Sequence, residues 1–552
     1  MTQETEERKG TYMAVADLII KSKAVYTGKT IFPEEACVII KDDKITGVCK
    51  PDELESYRGL DTQIYTFDDG MVLPGFIDAH THILATAASQ SVVRVDLTQS
   101  TSEQECIELI ARHLEQHPEL TGVVGNGWFL RKWNTEDLPD RKGLDARFPD
   151  IPIYLSSFDG HTCWLNGKAL EVCGITKDTT VQFGEIQKYP NGEPTGILCD
   201  IAAISLVSKK TTMPSEESLL QNLQHFVSNG ITSIVDVSAD PVLNEEPAEY
   251  SPLMKLRDNR NLIARMHLYP SLGDSGNFAL ATELAEKYKY PDLKVAGLKQ
   301  FIDGTTSAYS AALLSPYTDK PDEEGCVNYP EETYKKLVAE ANKKGFSVKL
   351  HAIGDKAVRI ALDAYEYAWD SGQRGTRNCV EHVENAQPSD VERFGKYHVI
   401  ASMQPYHLVL DTNEKLIRLG TERARTVWPF RSLLDSGAIL AFGSDFPVVD
   451  CNPLEAIYAA VERTFSDGSP ATICQEERIS LKEAIDACTQ GGACSIGREH
   501  DLGTLEAGKL ADIVVLDKNL FAIDAQEILK VKPVMTVMNG NIVYEMNMEE
   551  NG

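Results

Sequence analysis

Several features are missing from this chain, and each absence removes a class of function. No apolar run approaches the roughly 20 residues that span a bilayer, so no membrane partner is expected. Positive charge is scarce: 54 Lys and Arg stand against 83 Asp and Glu, for a formal net charge of −29. Recognition of nucleic acid needs a basic surface, so that partner is excluded as well. The acidic balance reads as a solvated surface, and it would steer cationic or neutral substrates if it steers any. The 12 cysteines include no CxxC pair. They are scattered through runs such as EEACVII and AIDAC, as reduced, buried thiols would be. Their spacing offers neither a structural zinc module nor a disulfide framework. Internal repeats and low-complexity segments are absent. The opening MTQETEERKGTY has neither the basic start nor the apolar stretch of a secretory signal. The expected location is therefore the cytoplasm.

What is present is a chain of 552 residues, 42% hydrophobic and 25% charged, long enough for more than one domain. Its two ends resemble each other. ADLIIKSKAVYTG and ACVIIKDDKITGVCK near the start, and LADIVVLDKN and VMTVMNGNIVYEM near the end, read as short strands separated by turns, with an Asn-Gly turn at Asn539-Gly540. They are expected to form one small β-sandwich domain from residues 1–70 and 500–552. The middle, residues 71–499, alternates apolar β-type runs with helical patterns. The runs are Met71–His82, Ile231–Ser238, Leu262–Pro270, Val295–Gly304, Phe346–Gly354, Asn378–Asn385, Val399–His407 and Ala438–Pro447. Eight such units predict an α/β fold, a (β/α)8 TIM barrel. About 150 residues separate the first run from the second, far more than a βα connection needs. Residues 95–225 are therefore expected to be an inserted subdomain.

The histidines carry the chemistry. His80 and His82 sit at i and i+2 at the end of the first strand, so both imidazoles point the same way. Alone, an HxH pair is weak. His351 ends the fifth strand in VKLHAIGD, His382 ends the sixth in VEHVEN, and Asp445 ends the eighth in GSDFP. In a barrel, all strand C-termini meet on one face, where active sites form. Four imidazoles and a carboxylate gathered there suit Zn²⁺, and also Mn²⁺, Fe²⁺ or Ni²⁺. Asp303, Gln404 and Trp428 lie just after strand ends or in loops and are candidate substrate contacts. Trp128, Phe129, Trp133 and Trp164 gather in the insertion, either as packing or as an apolar wall for a substrate, with Trp128 and Trp164 taken as substrate contacts. His113, His117, His225, His267, His398, His407 and His500 are assigned no role and read as surface or packing residues.

PGFIDAHTH, KLHAIGD, VEHVEN and GSDFP resemble the metal-site motifs of the amidohydrolase superfamily. ISLKEAIDACTQGGACSIG and LGTLEAGKLADIVVLD are similar to the end of its barrel and its return strands. FDGHTCWLN and FIDGTTSAYSAALL are similar to the amidohydrolase family 3 group, which includes formamide deformylase-like enzymes. The resemblance covers essentially the whole chain. It implies a binuclear centre of two divalent ions, most simply Zn²⁺, with Lys299 of GLKQFIDG carboxylated by CO₂ and bridging them. It also implies that His161 of FDGHTCW borders the active site, as an oxyanion stabiliser or substrate contact. Asp445, acceptor-only when ionised, is the expected proton carrier.

The expected activity is hydrolysis of an amide, N-acyl or N-formyl C–N bond of a small molecule by metal-activated hydroxide. Hydrolysis of an ester, lactone or cyclic amide on the same site is the alternative, because fold does not decide among them. A metal-dependent isomerase or decarboxylase is a further reading. A non-catalytic regulator on this scaffold would be expected to have lost a ligand, and none is missing. A homodimer is the assembly considered.

Overall fold

The computed structural model describes residues 15–90, 94–118, 120–133, 135, 137–158, 162–181, 184–199, 206–207, 214–237, 250–273, 276, 278–464, 469 and 474–546. The chain divides into two compact units, Met1–Leu84 with Leu219–Gly552, and Ala85–Ser218.

In the first unit, both ends of the chain share a seven-stranded sheet. Its order is Asn541–Glu545, Pro533–Met538, Ile513–Leu516, Gln63–Pro74, Leu18–Val25, Glu34–Lys41, Lys44–Cys49. Alternation sets its faces. Leu18, Ile20, Val38, Ile40, Val515 and Val537 pack together in one core cluster. Ile19, Cys37 and Ile39 alternate with them and pack with Leu54 in another. The last hairpin turns at Asn539 (φ 52°) and Gly540 (φ 73°), the pair of positive φ values that a tight two-residue hairpin requires.

The rest of the unit is parallel sheet and helix. Four strands pair in parallel: β1 (Phe76–Thr81), β2 (Ile231–Asp236), β3 (Arg265–Leu268) and β4 (Leu293–Val295). Five more form a second parallel sheet: β5 (Gly297–Phe301), β6 (Ser347–Ala352), β7 (Cys379–His382), β8 (Ile400–Met403) and β9 (Ile439–Phe442). Isolated parallel bridges join Thr81 of β1 to Phe446 beyond β9, and Ser271 beyond β3 to Lys299 of β5. β1, β2, β3, β7 and β8 are buried at every position, as strands sandwiched by helices must be. The intervening helices are amphipathic. Asp355–Asp370, for example, buries Val358, Ile360, Leu362 and Tyr365. This is a mixed α/β fold with parallel sheets, consistent with the barrel expected.

Two of the expected strands are each broken in two. Met71–His82 divides at Gly75, whose N–H donates to Asp512 O at 2.9 Å, while the next N–H, of Phe76, donates to Gly230 O at 3.0 Å. Consecutive residues thus bond to different sheets, and Met71–Pro74 pairs with Ile513–Leu516. The run from Val295 breaks at Ala296 between β4 and β5. Among the described residues, no helix is long and apolar enough to cross a membrane.

The second unit holds a six-stranded sheet, ordered Glu185–Lys188, Pro194–Cys199, Thr162–Leu165, Ile153–Ser157, Val123–Trp128, Arg94–Asp96. Two of its helices begin at side-chain caps: Ser102 accepts from Glu105 N, and Asn166 from Ala169 N.

Candidate metal centre

β1 carries His80 near its end, and His82 follows it; Asp445 lies three residues beyond β9. The N–H of Asp445 donates to His80 O at 2.8 Å, and that of His82 to Phe446 O at 2.8 Å. These backbone bonds hold the three side chains together. Asp445 Oδ1 stands 3.1 Å from His82 Nε2 and 3.4 Å from His80 Nε2. His382, at the end of β7, sets its ring 4.8 Å from that of His80 and 4.3 Å from that of His351. His382 (φ 74°), Val383 (φ 49°) and Asp445 (φ 62°) all occupy left-handed backbone. For non-glycine residues that costs on the order of 1–3 kcal/mol each and collects where a site overrides local preference.

His80 is held from behind. Its Nδ1 donates to Glu381 in a short contact, and the other Glu381 oxygen accepts from Lys349 Nζ at 2.8 Å. Lys349 also donates to Ala79 O at 3.3 Å. With Nδ1–H given to a carboxylate, the lone pair of Nε2 faces Asp445, the arrangement metal-bound histidines use.

The electrostatics follow from burial. Desolvation, and then the nearby Lys299 ammonium, push His80 down to about 4 and His351 down to about 3. Burial, followed by His351 and His80, puts His382 well below the usual range. Coordination requires the neutral ring, the form that burial favours here. Burial would raise Asp445, but His80 and His82 outweigh it and hold the carboxyl well below its ordinary range. Lys299 is fully buried, its Nζ has no hydrogen-bond partner, and burial lowers it to about 8. His80 Nε2, His382 Nδ1 and His407 Nε2 are likewise buried without hydrogen-bond partners. Each orphaned group costs about 1–3 kcal/mol unless something satisfies it. Nitrogen donors beside an ionised carboxylate are what a divalent cation satisfies, so the residues fit one. The donor atoms of His80, His82 and Asp445 lie within 4.8 Å of one another, as do those of His382, His407 and Asp445. His351 joins neither group; its Nε2 stands 3.3 Å from Gly304 O.

Other expected residues are placed differently. Asp303 is no free substrate contact. Its carboxylate accepts from the backbone N–H groups of Ile353 (3.0 Å), Gly354 (2.8 Å) and Ala312 (2.9 Å), pinning two loops. Trp128 and Trp164 sit in the apolar core of the second unit, and their indole N–H groups donate to Leu155 O (3.1 Å) and Asp140 O (3.0 Å). They are packing, because their apolar area is spent inside that unit. Trp428 is fully buried, with its ring 5.4 Å from Lys415 Nζ. Gln404 is buried, and neither its amide oxygen nor its nitrogen has a partner. His161 lies outside the described residues.

His407, read as packing, belongs to this site. It follows β8 on the first turn of helix Pro405–Arg423. Its Nδ1 faces Glu384 Oε1 at 3.8 Å and its Nε2 faces Asp445 Oδ2 at 3.9 Å. Burial works against its charge, but Glu384 and Asp445 raise its pKa on balance. Glu381, Lys349, Glu384 and Lys415 were also missed. The available signal was their neighbours: both glutamates bracket His382 in VEHVEN, and His407 follows the end of a strand by four residues.

Parallel strands under helices, with histidines and a carboxylate gathered at their C-terminal ends, define the class of α/β enzymes that place their chemistry at one end of the sheet. The amidohydrolase family model matches residues 67–544, and the chain belongs to that family. It is an enzyme, a hydrolase. Protein LONG AFTER FAR-RED 3 of Arabidopsis thaliana is 32% identical over 517 residues, 92% of this chain and 88% of that protein. N-substituted formamide deformylase of Arthrobacter pascens is 26% identical over 541 residues, 94% of this chain and 97% of that one. The fold matches an uncharacterised metal-dependent hydrolase of Pyrococcus horikoshii with a TM-score of 0.73 at 23% identity, covering 92% of this chain and 99% of that one.

Proposed function

We propose that the chain cleaves the C–N bond of a small amide, N-acyl or N-formyl compound in a metal-dependent hydrolysis. The observation that carries this is Asp445 Oδ1 standing 3.1 Å from His82 Nε2 and 3.4 Å from His80 Nε2 at the strand ends. The relative named for deformylating N-substituted formamides supports the bond type. We read the two parallel sheets as one closed (β/α)8 barrel, with β4 and β5 as one interrupted strand.

His80, His82 and Asp445 would hold one divalent ion, and His351 and His382 a second, Zn²⁺ being the simplest occupant of such donors. Ions bound there lower the pKa of water and polarise a carbonyl. Asp445, ionised and acceptor-only, takes the proton as the water oxygen adds to the carbonyl carbon. The C–N bond then breaks, and Asp445 returns the proton to the leaving nitrogen, giving an acid and an amine. Gln404 offers an unused donor and acceptor for substrate.

Carboxylated, Lys299 would offer an anionic ligand to the ions. Carboxylation needs a neutral amine, which adds to CO₂ and releases a proton, and burial has already lowered this ammonium to about 8. Lys299→Ala is expected to lose one ion of two by elemental analysis. Short carboxylic acids restore it and bicarbonate does not; full occupancy in the variant rejects the bridge. The function is tested by screening metal-replete protein against N-acyl and N-formyl compounds, with esters and lactones beside them. Turnover of the esters alone would reject the C–N assignment.

A further inference from the structure

Two buried relays leave one short segment. Glu381 and Glu384 bracket His382. Glu381 binds Lys349 with one oxygen and His80 Nδ1 with the other. Glu384 repeats the pattern: Lys415 Nζ donates to it at 2.5 Å, and it faces His407 Nδ1 at 3.8 Å. Lys415 also donates to Thr306 Oγ1 in a short contact, which fixes the ammonium. Glu384, Lys415 and His407 are each more than nine-tenths buried. A buried ion pair of this kind adds little net stability, and its attested use is to fix position. Both relays end on an imidazole whose Nε2 has no partner and faces the Asp445 carboxylate, at 3.4 Å for His80 and 3.9 Å for His407.

We propose that His407 is itself a metal ligand, binding a divalent ion through Nε2 together with Asp445 and His382. The donor atoms of these three lie within 4.8 Å of one another, and all three residues are buried. The rings of His382 and His407 lie close to parallel, 19° apart with centroids separated by 6.3 Å. The Glu384 carboxylate lies on the Nδ1 side at 3.8 Å, beyond hydrogen-bond distance but placed to favour a proton on Nδ1 and leave the lone pair at Nε2. This inference rests on the metal reading above and adds His407 and Asp445 to the ligands of the ion there assigned to His382.

The test uses the full chain, loaded with Zn²⁺ for elemental analysis and with Co²⁺ for absorption spectroscopy. Wild type, His407→Gln, His407→Cys and Glu384→Gln are compared. His407→Gln is expected to weaken one ion on the order of 10-fold or more and to change the Co²⁺ d–d bands. Glu384→Gln weakens the same ion about 10–100-fold. His407→Cys offers a thiolate on a shorter side chain, and a thiolate-to-Co²⁺ charge-transfer band there reads ligation at this position even where His407→Gln fails to fold. Wild-type occupancy and d–d bands in His407→Gln overturn the proposal. Activity lost with metal and spectra unchanged overturns it too and makes His407 a proton carrier or substrate contact. A wild-type chain that takes up no divalent ion overturns this inference and the metal reading together, whereas ions bound indifferently to His407 overturn the inference alone.

Discussion

At the scale of single residues, holding a metal and moving a proton are separate roles, and two substitutions divide them. Asn has nearly the shape of Asp445 but cannot accept a proton as a base. Asp445→Asn is expected to keep the fold and much of the metal while kcat falls by a factor on the order of 10²–10⁴, the range that general acid–base catalysis contributes. Elemental analysis beside steady-state kinetics checks it, and joint loss of metal and rate would make Asp445 mainly structural. Glu381→Gln should do the reverse. It removes the carboxylate behind His80 and leaves Lys349 buried without its partner. Metal affinity is expected to fall about 10–100-fold, measured by competition with a chelator, while activity returns when metal is in excess. The gathering of His80, His82, His382 and Asp445 was legible in the sequence because strand-end position announces it, whereas His351 stands outside both donor groups. The residues behind them were not. A buried glutamate or lysine on a strand carries no spacing signal, and only the paired geometry shows what Lys349 and Lys415 do.

At the scale of elements, the fold depends on close approach. CTQGGAC packs against the parallel strands, and a Cβ on Gly491 would stand 1.8 Å from Leu440 O of β9. No rotamer relieves a clash with backbone. Gly491→Ala is therefore expected to destabilise by at least about 1–3 kcal/mol, read as a lower denaturation midpoint with m unchanged; a neutral result would mean that the helix shifts freely. Apolar runs announced the parallel strands well, because strands buried on both faces are apolar throughout. The breaks at Gly75 and Ala296 were illegible for the same reason. A continuous apolar run looks the same whether its hydrogen bonds go to one sheet or two.

At the scale of the whole molecule, the seven-stranded sheet is tied to the parallel strands by a buried ion pair. Arg265 of β3 donates to both Asp512 oxygens, Nε at 3.0 Å and Nη2 at 2.9 Å, and both side chains are almost wholly buried. Asp512→Ala removes the carboxylate and leaves the buried guanidinium only Asn539 Oδ1 and Pro291 O, and it is expected to cost about 3–5 kcal/mol; a loss below about 1 kcal/mol by urea unfolding would show that water reaches the arginine. Nothing in the sequence joined residues 247 positions apart, since a lone Arg and a lone Asp carry no mark of partnership. Chelation should lower the thermal midpoint, because an ion bound only by the native state stabilises it by mass action. Restoring Zn²⁺ should reverse the shift, and a midpoint indifferent to chelator would argue against a structural contribution from the metal.

The central claim is that Asp445 joins a metal site to C–N hydrolysis. The most direct measurement compares wild type and Asp445→Asn at matched metal content on an N-acyl or N-formyl compound that the wild type turns over. The variant is expected to hold its metal and to release amine on the order of 10²–10⁴ more slowly. Equal rates at equal metal content would contradict it.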